Sequence, residues 1–301
     1  MTDIAAFMAE SARMIDGALD RLLPRPDGRA EDALFDAMRY AVMGGGKRFR
    51  PMLTLACAGL FDVPAAHALR VGAAIELVHC YSLIHDDLPA MDNDDLRRGQ
   101  PSCHAKFGEA TAILAGDALM TLAFEVLAAP DTHTDADVRC TLIVGLARAA
   151  GAEGMVAGQM IDLAAEGKTR GAGARDADAV ARMERLKTGG LIAFACEGAA
   201  ILGRAPDAAR QALAGYAHAL GLAYQVIDDL LDAEGEAGAI GKTAGKDARA
   251  GKATFVALLG LDGARKEAAA LAAEAGRHLD FFGKKADFLR NMTRFVIERH
   301  R

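Results

Sequence analysis

The sequence predicts an all-α fold. Apolar residues recur at helical spacing along nearly the whole chain, and no stretch sustains the two-residue alternation of a half-buried strand. The composition agrees: Ala and Leu abound, aromatic residues make up 5%, and Trp is absent, which suits closely packed helices. At 301 residues and 52% apolar, the chain can bury a sizeable core. It carries no Pro/Ser-rich linker and no shift in composition, so a single domain over 1–301 is expected.

The elements follow from local pattern. Residues 3–22 set Ile4, Phe7, Met8, Met14, Ile15, Leu19 and Leu22 on one face, and Pro24 and Pro26 end the helix. A second helix over 30–43 stops at Gly44-Gly45-Gly46. Pro51 fits the first position of the next, which runs to about Leu60. Lys47, Arg48 and Arg50 therefore collect at a loop–helix junction beside free backbone N–H groups, either an anion site or a solvated basic turn. Residues 65–88 are apolar on nearly all sides, as a central helix must be; Glu76 and His79 are among its few polar members. Helices follow over 109–128 and 135–150, then over 154–163, where Gln159 and Asp162 interrupt apolar neighbours. Residues 176–202 are helical but broken at Lys187-Thr188-Gly189-Gly190, where paired glycines can kink the helix and turn Lys187 and Thr188 into a cavity. A long helix spans 207–234. Residues 235–251, with Lys242, Lys246 and Asp247, read as a long loop of the kind that covers a site, and Lys252 follows. Helices near 253–260, 263–280 and 284–299 complete the chain.

Two acidic clusters stand out. Asp86-Asp87-Leu88-Pro89-Ala90-Met91-Asp92 ends the apolar run of the fourth helix, and Asp228-Asp229-Leu230-Leu231-Asp232 ends another. A single Asp-Asp is usually a solvated helix end. Two copies, each behind a greasy run, point instead to cation binding, because ionised Asp is rarely buried unless paired or metal-bound. Asp228 and Asp232, four apart, share a helix face. Asp86 and Asp92 are six apart with Pro89 between them, so a bulge or helix end must bring Asp92 back. Hard oxygen ligands of this kind suit Mg²⁺, which binds substrate phosphates besides one or two carboxylates. A Ca²⁺ loop is excluded, since Leu96 and Arg97 occupy its ligand and Gly positions. Just beyond lie Arg97 and Arg98, either diphosphate clamps or part of a mixed-charge loop.

Other classes recede. A net charge of −6 does not suggest a nucleic-acid partner. Five scattered cysteines with no C-x-x-C pair suggest reduced, cytosolic thiols. No signal-peptide pattern and no uninterrupted apolar run of membrane-spanning length are read. Gly241-Lys242-Thr243 lacks the first Gly of a P-loop, because residue 236 is Glu.

Together these motifs resemble the trans-prenyltransferases (polyprenyl synthetases), and among them the bacterial farnesyl diphosphate synthases. The resemblance covers nearly the whole chain. It rests on Gly45-Gly46-Lys47-Arg48-Phe49-Arg50-Pro51, on both acidic clusters with their leading residues, on Leu96-Arg97-Arg98-Gly99, on Lys187-Thr188-Gly189, and on Gly241-Lys242-Thr243-Ala244-Gly245-Lys246-Asp247. Tyr224 stands where the family often has Phe. The resemblance implies an isoprenoid synthase-type bundle of about ten or more helices around a deep central cavity, usually as a homodimer. It implies that Asp86, Asp92 and Asp228 ligate a cluster of several Mg²⁺ ions with the allylic diphosphate, with Asp87, Asp229 and Asp232 as further ligands or their supports. Arg97, Lys187 and Lys242 would hold that diphosphate; Lys47, Arg50, His79 and Arg98 would hold isopentenyl diphosphate. Thr188, Gln225 and the Lys187 carbonyl would direct oxygen dipoles at an allylic carbocation. Tyr81 and Ser82, about one helical turn of 5.4 Å below Asp86, would floor the cavity and limit the product to C15. The nearest alternatives are a geranylgeranyl diphosphate synthase, a terpene cyclase, and, from another class, a non-catalytic partner subunit or helical scaffold.

Overall fold

Helix follows apolar spacing through the chain. The structure, a computed structural model, describes residues 4–171, 173, 176–234 and 254–298. Its helices are α1 (Ile4–Leu22), α2 (Asp32–Met43), α3 (Phe49–Ala58), α4 (Ala65–Asp86), α5 (Cys103–Phe107), α6 (Glu109–Ala128) and α7 (Ala136–Ala150). They continue with α8 (Met155–Ala165), α9 (Ala177–Lys187), α10 (Gly189–Leu202), α11 (Asp207–Glu234), α12 (Phe255–His278) and α13 (Asp287–Glu298). Single turns of 3₁₀ helix extend α3 at Gly59–Phe61, and a longer one joins α12 to α13 at Leu279–Ala286.

Most of these bounds agree with the expected ones to within two residues. The departures have local causes. The two helices expected near 253–260 and 263–280 run together as α12, kinked at Gly260, whose φ of 70° only glycine adopts without strain. A short hairpin, β1 (Leu96–Arg97) against β2 (Gln100–Pro101), was not foreseen. Its turn places Arg98 and Gly99 at φ 54° and 75°, the two left-handed residues of a tight hairpin turn. Strands of two residues are too short to show alternation.

The core is layered around α4 and α10. Val71, Ile75, Leu77, Val78 and Ile84 of α4 are buried, as are Leu191, Ile192, Phe194 and Cys196 of α10. α10 packs on α3, α4, α7 and α11, so it bridges the helices that carry the two acidic clusters. α9 stops at Lys187 and α10 starts at Gly189, as the glycine pair requires. α8 crosses close above that junction: a Cβ added at Gly158 would lie 2.3 Å from the Lys187 backbone nitrogen.

Arg48 departs from the basic-junction reading. Its backbone is left-handed (φ 47°) and its side chain turns inward, away from solvent. The guanidinium donates to Asp16 Oδ1 (2.8 Å), Glu76 Oε1 (2.8 Å) and the Val42 carbonyl (2.6 Å), bracing α1, α2 and α4 together. That accounts for Glu76 in an otherwise apolar helix. Lys47 and Arg50 remain at the junction.

The membrane reading needs one refinement. α6, and the 136–165 stretch that includes α7 and α8, are apolar and long enough by composition to cross a bilayer. In the fold, α6 lays Ala112, Ala115, Leu119 and Ala123 against the core and leaves Ile113, Leu114 and Met120 exposed, while α7 and α8 are separated at 151–154.

Removing one partner of the Arg48–Glu76 pair strands a buried charge. Arg48→Met is expected to lower stability by about 3–5 kcal/mol, read as a fall in urea midpoint. Adding Glu76→Leu to Arg48→Met is expected to recover most of that loss.

Candidate active site

The first acidic cluster is shaped by how α4 ends. Asp86 is the last helical residue, and the chain then folds back on itself. The Asp92 N–H donates to the Asp86 carbonyl (2.8 Å), Asn93 to the Leu88 carbonyl (3.1 Å) and Asp94 to the Asp87 carbonyl (3.1 Å), with Asn93 left-handed at φ 52°. This closes the six-residue gap that a straight helix would splay, and Asp92 returns beside Asp86. Lys168, from the segment after α8, clips the loop: its ammonium donates to the Met91 carbonyl (2.7 Å), lies 3.4 Å from Asp92 Oδ1, and pairs with Glu166 (2.6 Å). Nothing in the sequence linked Lys168 to the cluster, because the two meet only in space.

The two Asp-Asp pairs are built alike. Asp87 is buried and accepts from Arg97, whose Nε lies 3.1 and 3.0 Å from its oxygens. Arg97, expected to clamp a diphosphate, is thus held by Asp87. Asp229 is also buried, accepting from Gln225 Nε2 (3.0 Å) and from the Phe255 N–H at the start of α12 (2.9 Å). Asp228 and Asp232 lie on a partly exposed face of α11.

Lys187 lies beside the first cluster. It is ion-paired with Asp162 of α8. Its charge also reaches Asp86 and Glu184. Burial pushes the Asp86 carboxyl up to about 6, with Lys187 opposing the shift and Asp92 adding to it. Burial likewise pushes Glu184 up to about 7, reinforced by Asp229 and opposed by Lys187. The Thr188 hydroxyl lies 3.1 Å from Glu184 Oε2 and 3.3 Å from Gln225 Oε1. Asp162 and Glu184 were not among the expected site residues. Asp162 at least showed a signal, a carboxylate in an apolar helix.

Basic residues gather around His79 of α4. Phe49, at the start of α3, stacks on Tyr224 of α11 at 4.9 Å between ring centroids, one turn before Asp228. This sets the Lys47–Arg50 junction against the second cluster's helix. Nearby, Arg98 lies so close to Gly46 that a Cβ there would sit 2.7 Å from its guanidinium. Burial, then Arg50, Arg98, Arg97 and Arg48, hold the His79 imidazole well below its ordinary value, so it is neutral at pH 7. Among the described residues Arg50 Nε is buried without a hydrogen-bond partner, a donor that suits an anion. Tyr81 is buried one turn below the cluster with its ring edge toward His85 (5.7 Å), and Ser82 Oγ donates to the His79 carbonyl (2.9 Å). Lys242, with Lys246, Asp247 and Lys252, lies outside the described residues.

Among the described residues, no three carboxylate, thiol or imidazole groups gather closely enough to hold a metal ion alone. The donors still fit hard divalent ions that arrive with phosphate oxygens, since such ions need only one or two carboxylates each. Burial does most to raise the Asp86 value and Asp92 adds to it, so a cation brought there would favour its ionised form.

Carboxylates this crowded need cations, and guanidiniums this crowded need anions; a helical protein offering both side by side is built for diphosphates. The chain belongs to the polyprenyl synthetase family, which its residues 31–285 match. Farnesyl diphosphate synthase from Escherichia coli is 45% identical over 88% of this chain and 89% of its own length. The farnesyl diphosphate synthase of Geobacillus stearothermophilus is 44% identical over 92% and 91%. Among solved structures, an FPP/GFPP synthase from Zymomonas mobilis superposes with a TM-score of 0.87 at 47% identity, covering 97% of this chain and 98% of that one. The fold is accordingly the all-α isoprenoid synthase bundle, and membership implies a divalent-metal-dependent prenyltransferase.

The Asp86 shift has a testable sign. Its folded value lies above its unfolded one, so ionisation opposes folding; that penalty is absent below about pH 3.8 and complete above about pH 6. Without divalent ions, Asp86→Asn is expected to stabilise the protein at pH 8, by up to about 3 kcal/mol, and the gain should vanish towards pH 4. Thermal melts of both proteins across that range check it.

Proposed function

We propose that this chain condenses isopentenyl diphosphate with dimethylallyl diphosphate, and then with geranyl diphosphate, releasing diphosphate each time and ending at farnesyl diphosphate. The observation that supports this most is the gathering of charge around Lys187 and His79: Lys187 bears on Asp86 of the first cluster and on Glu184, which also feels Asp229 of the second, while Arg50 and Arg98 bear on His79. The farnesyl diphosphate synthases at 44–45% identity support the product class.

Asp86, Asp92 and Asp228 would hold Mg²⁺ with the allylic diphosphate, and Asp232 completes the exposed face of its cluster. When bound, Mg²⁺ supplies positive charge to the oxygens of the leaving diphosphate. Lys187, Arg97 and Lys242 add theirs, and Asp87 keeps Arg97 in place. As the allylic C–O bond breaks, Thr188 and Gln225 turn oxygen atoms toward the carbocation, and the Lys187 carbonyl joins them. Lys47, Arg50, His79 and Arg98 grip isopentenyl diphosphate so that its alkene faces the cation. A C–C bond forms, and the proton lost from the new intermediate goes to the released diphosphate. Tyr81 and Ser82 close the tail channel at C15. The exposed apolar residues of α6 (Ile113, Leu114, Met120), with Val144, Val156 and Met160 exposed on α7 and α8, suit a homodimer contact.

The direct test is incubation with Mg²⁺, labelled isopentenyl diphosphate and each allylic primer, followed by product sizing. A C15 product is expected; C20 would move the assignment to geranylgeranyl diphosphate synthesis, and no released diphosphate would refute it. Asp86→Ala and Asp228→Ala should each lower turnover by roughly 10²-fold or more, as when one preorganised charge stabiliser is lost. Tyr81→Ala should let products grow past C15, and an unchanged chromatogram would remove Tyr81 from its role.

A further inference from the structure

Thr188 has one proton and two oxygen neighbours. The nearer is Glu184 Oε2 at 3.1 Å, one helical turn back on α9; the other is Gln225 Oε1 at 3.3 Å on α11. Gln225 cannot supply a proton to that contact. Its Nε2 faces Asp229 Oδ1 at 3.0 Å, and Asp229 also accepts from the Phe255 N–H, so the amide is oriented with its oxygen toward Thr188. If the Thr188 hydroxyl donates to Glu184, Thr188 Oγ1 and Gln225 Oε1 become two acceptor oxygens facing one another with no hydrogen between them. Such a pair is unfavourable on its own and is relieved by a nearby positive charge. Glu184 is half-buried, and burial and Asp229 disfavour its charge while Lys187 and the Thr188 hydroxyl favour it. A carboxyl kept at such a place does little for stability.

We propose that Glu184 is a positioning residue that accepts the Thr188 hydroxyl's hydrogen bond, so that Thr188 Oγ1 and Gln225 Oε1 present paired lone pairs to the allylic carbocation. Glu184 Oε2 accepts from Thr188 whether or not the other carboxyl oxygen is protonated. The inference rests on the assignment of Thr188 and Gln225 given above.

The test uses the full-length enzyme with Mg²⁺, geranyl diphosphate and isopentenyl diphosphate. Glu184→Ala should lower kcat about tenfold, the worth of roughly one hydrogen bond's orientation, and leave both KM values within about twofold. Its melting temperature should stay level or rise, since a half-buried carboxyl is gone. Glu184→Gln, which keeps an acceptor oxygen, should restore most of kcat. Glu184→Ala should add nothing in a Thr188→Val background. A kcat unchanged in Glu184→Ala, additive losses in the double variant, or a lowered melting temperature with no recovery by Glu184→Gln would each overturn the proposal. If Thr188→Val is itself silent, the Thr188 assignment fails; if Thr188→Val is slow and Glu184→Ala is not, this inference fails alone.

Discussion

One lysine holds the arrangement together. Lys187 closes α9 and is anchored to Asp162 of α8, and its ammonium bears on Asp86 from α4 and Glu184 from its own helix. Burial raises the Asp86 and Glu184 values, and Lys187 opposes both shifts. The divalent ions implied by the family would bring further positive charge, together with a substrate that carries the compensating oxygens.

Helix geometry divides the labour within each Asp-Asp pair. Neighbouring residues on a helix point about 100° apart, so two adjacent carboxylates cannot both face one site. Asp86 and Asp228 take the site side. Asp87 and Asp229 turn into the protein, where one holds Arg97 and the other fixes both Gln225 and the first turn of α12. The doubled aspartate thus leaves one carboxylate partly exposed and ties the other into the protein.

Long helices were legible in the sequence because their signals are local: apolar periodicity, proline stops and glycine breaks. The acidic clusters were legible because buried carboxylates violate the ordinary pattern. What stayed hidden was long-range pairing. Arg48 looked like part of a basic turn until Glu76 and Asp16 came to meet it. Lys168 and Glu166 sat in an unremarkable polar stretch, and only the fold brings them to Met91 and Asp92. Glu184 gave no signal, since its surroundings depend on α11 and α8 arriving beside α9. The hairpin at Leu96–Pro101 was too short to register.

The central claim is that the acidic walls bind divalent ions through a shared diphosphate and not as finished metal sites. Calorimetric titration of Mg²⁺ into the protein, with and without inorganic pyrophosphate, tests it most directly. The account predicts weak binding to the protein alone and at least about tenfold tighter binding once pyrophosphate is present, by linkage between the two ligands. Equal affinity in the two titrations would contradict it.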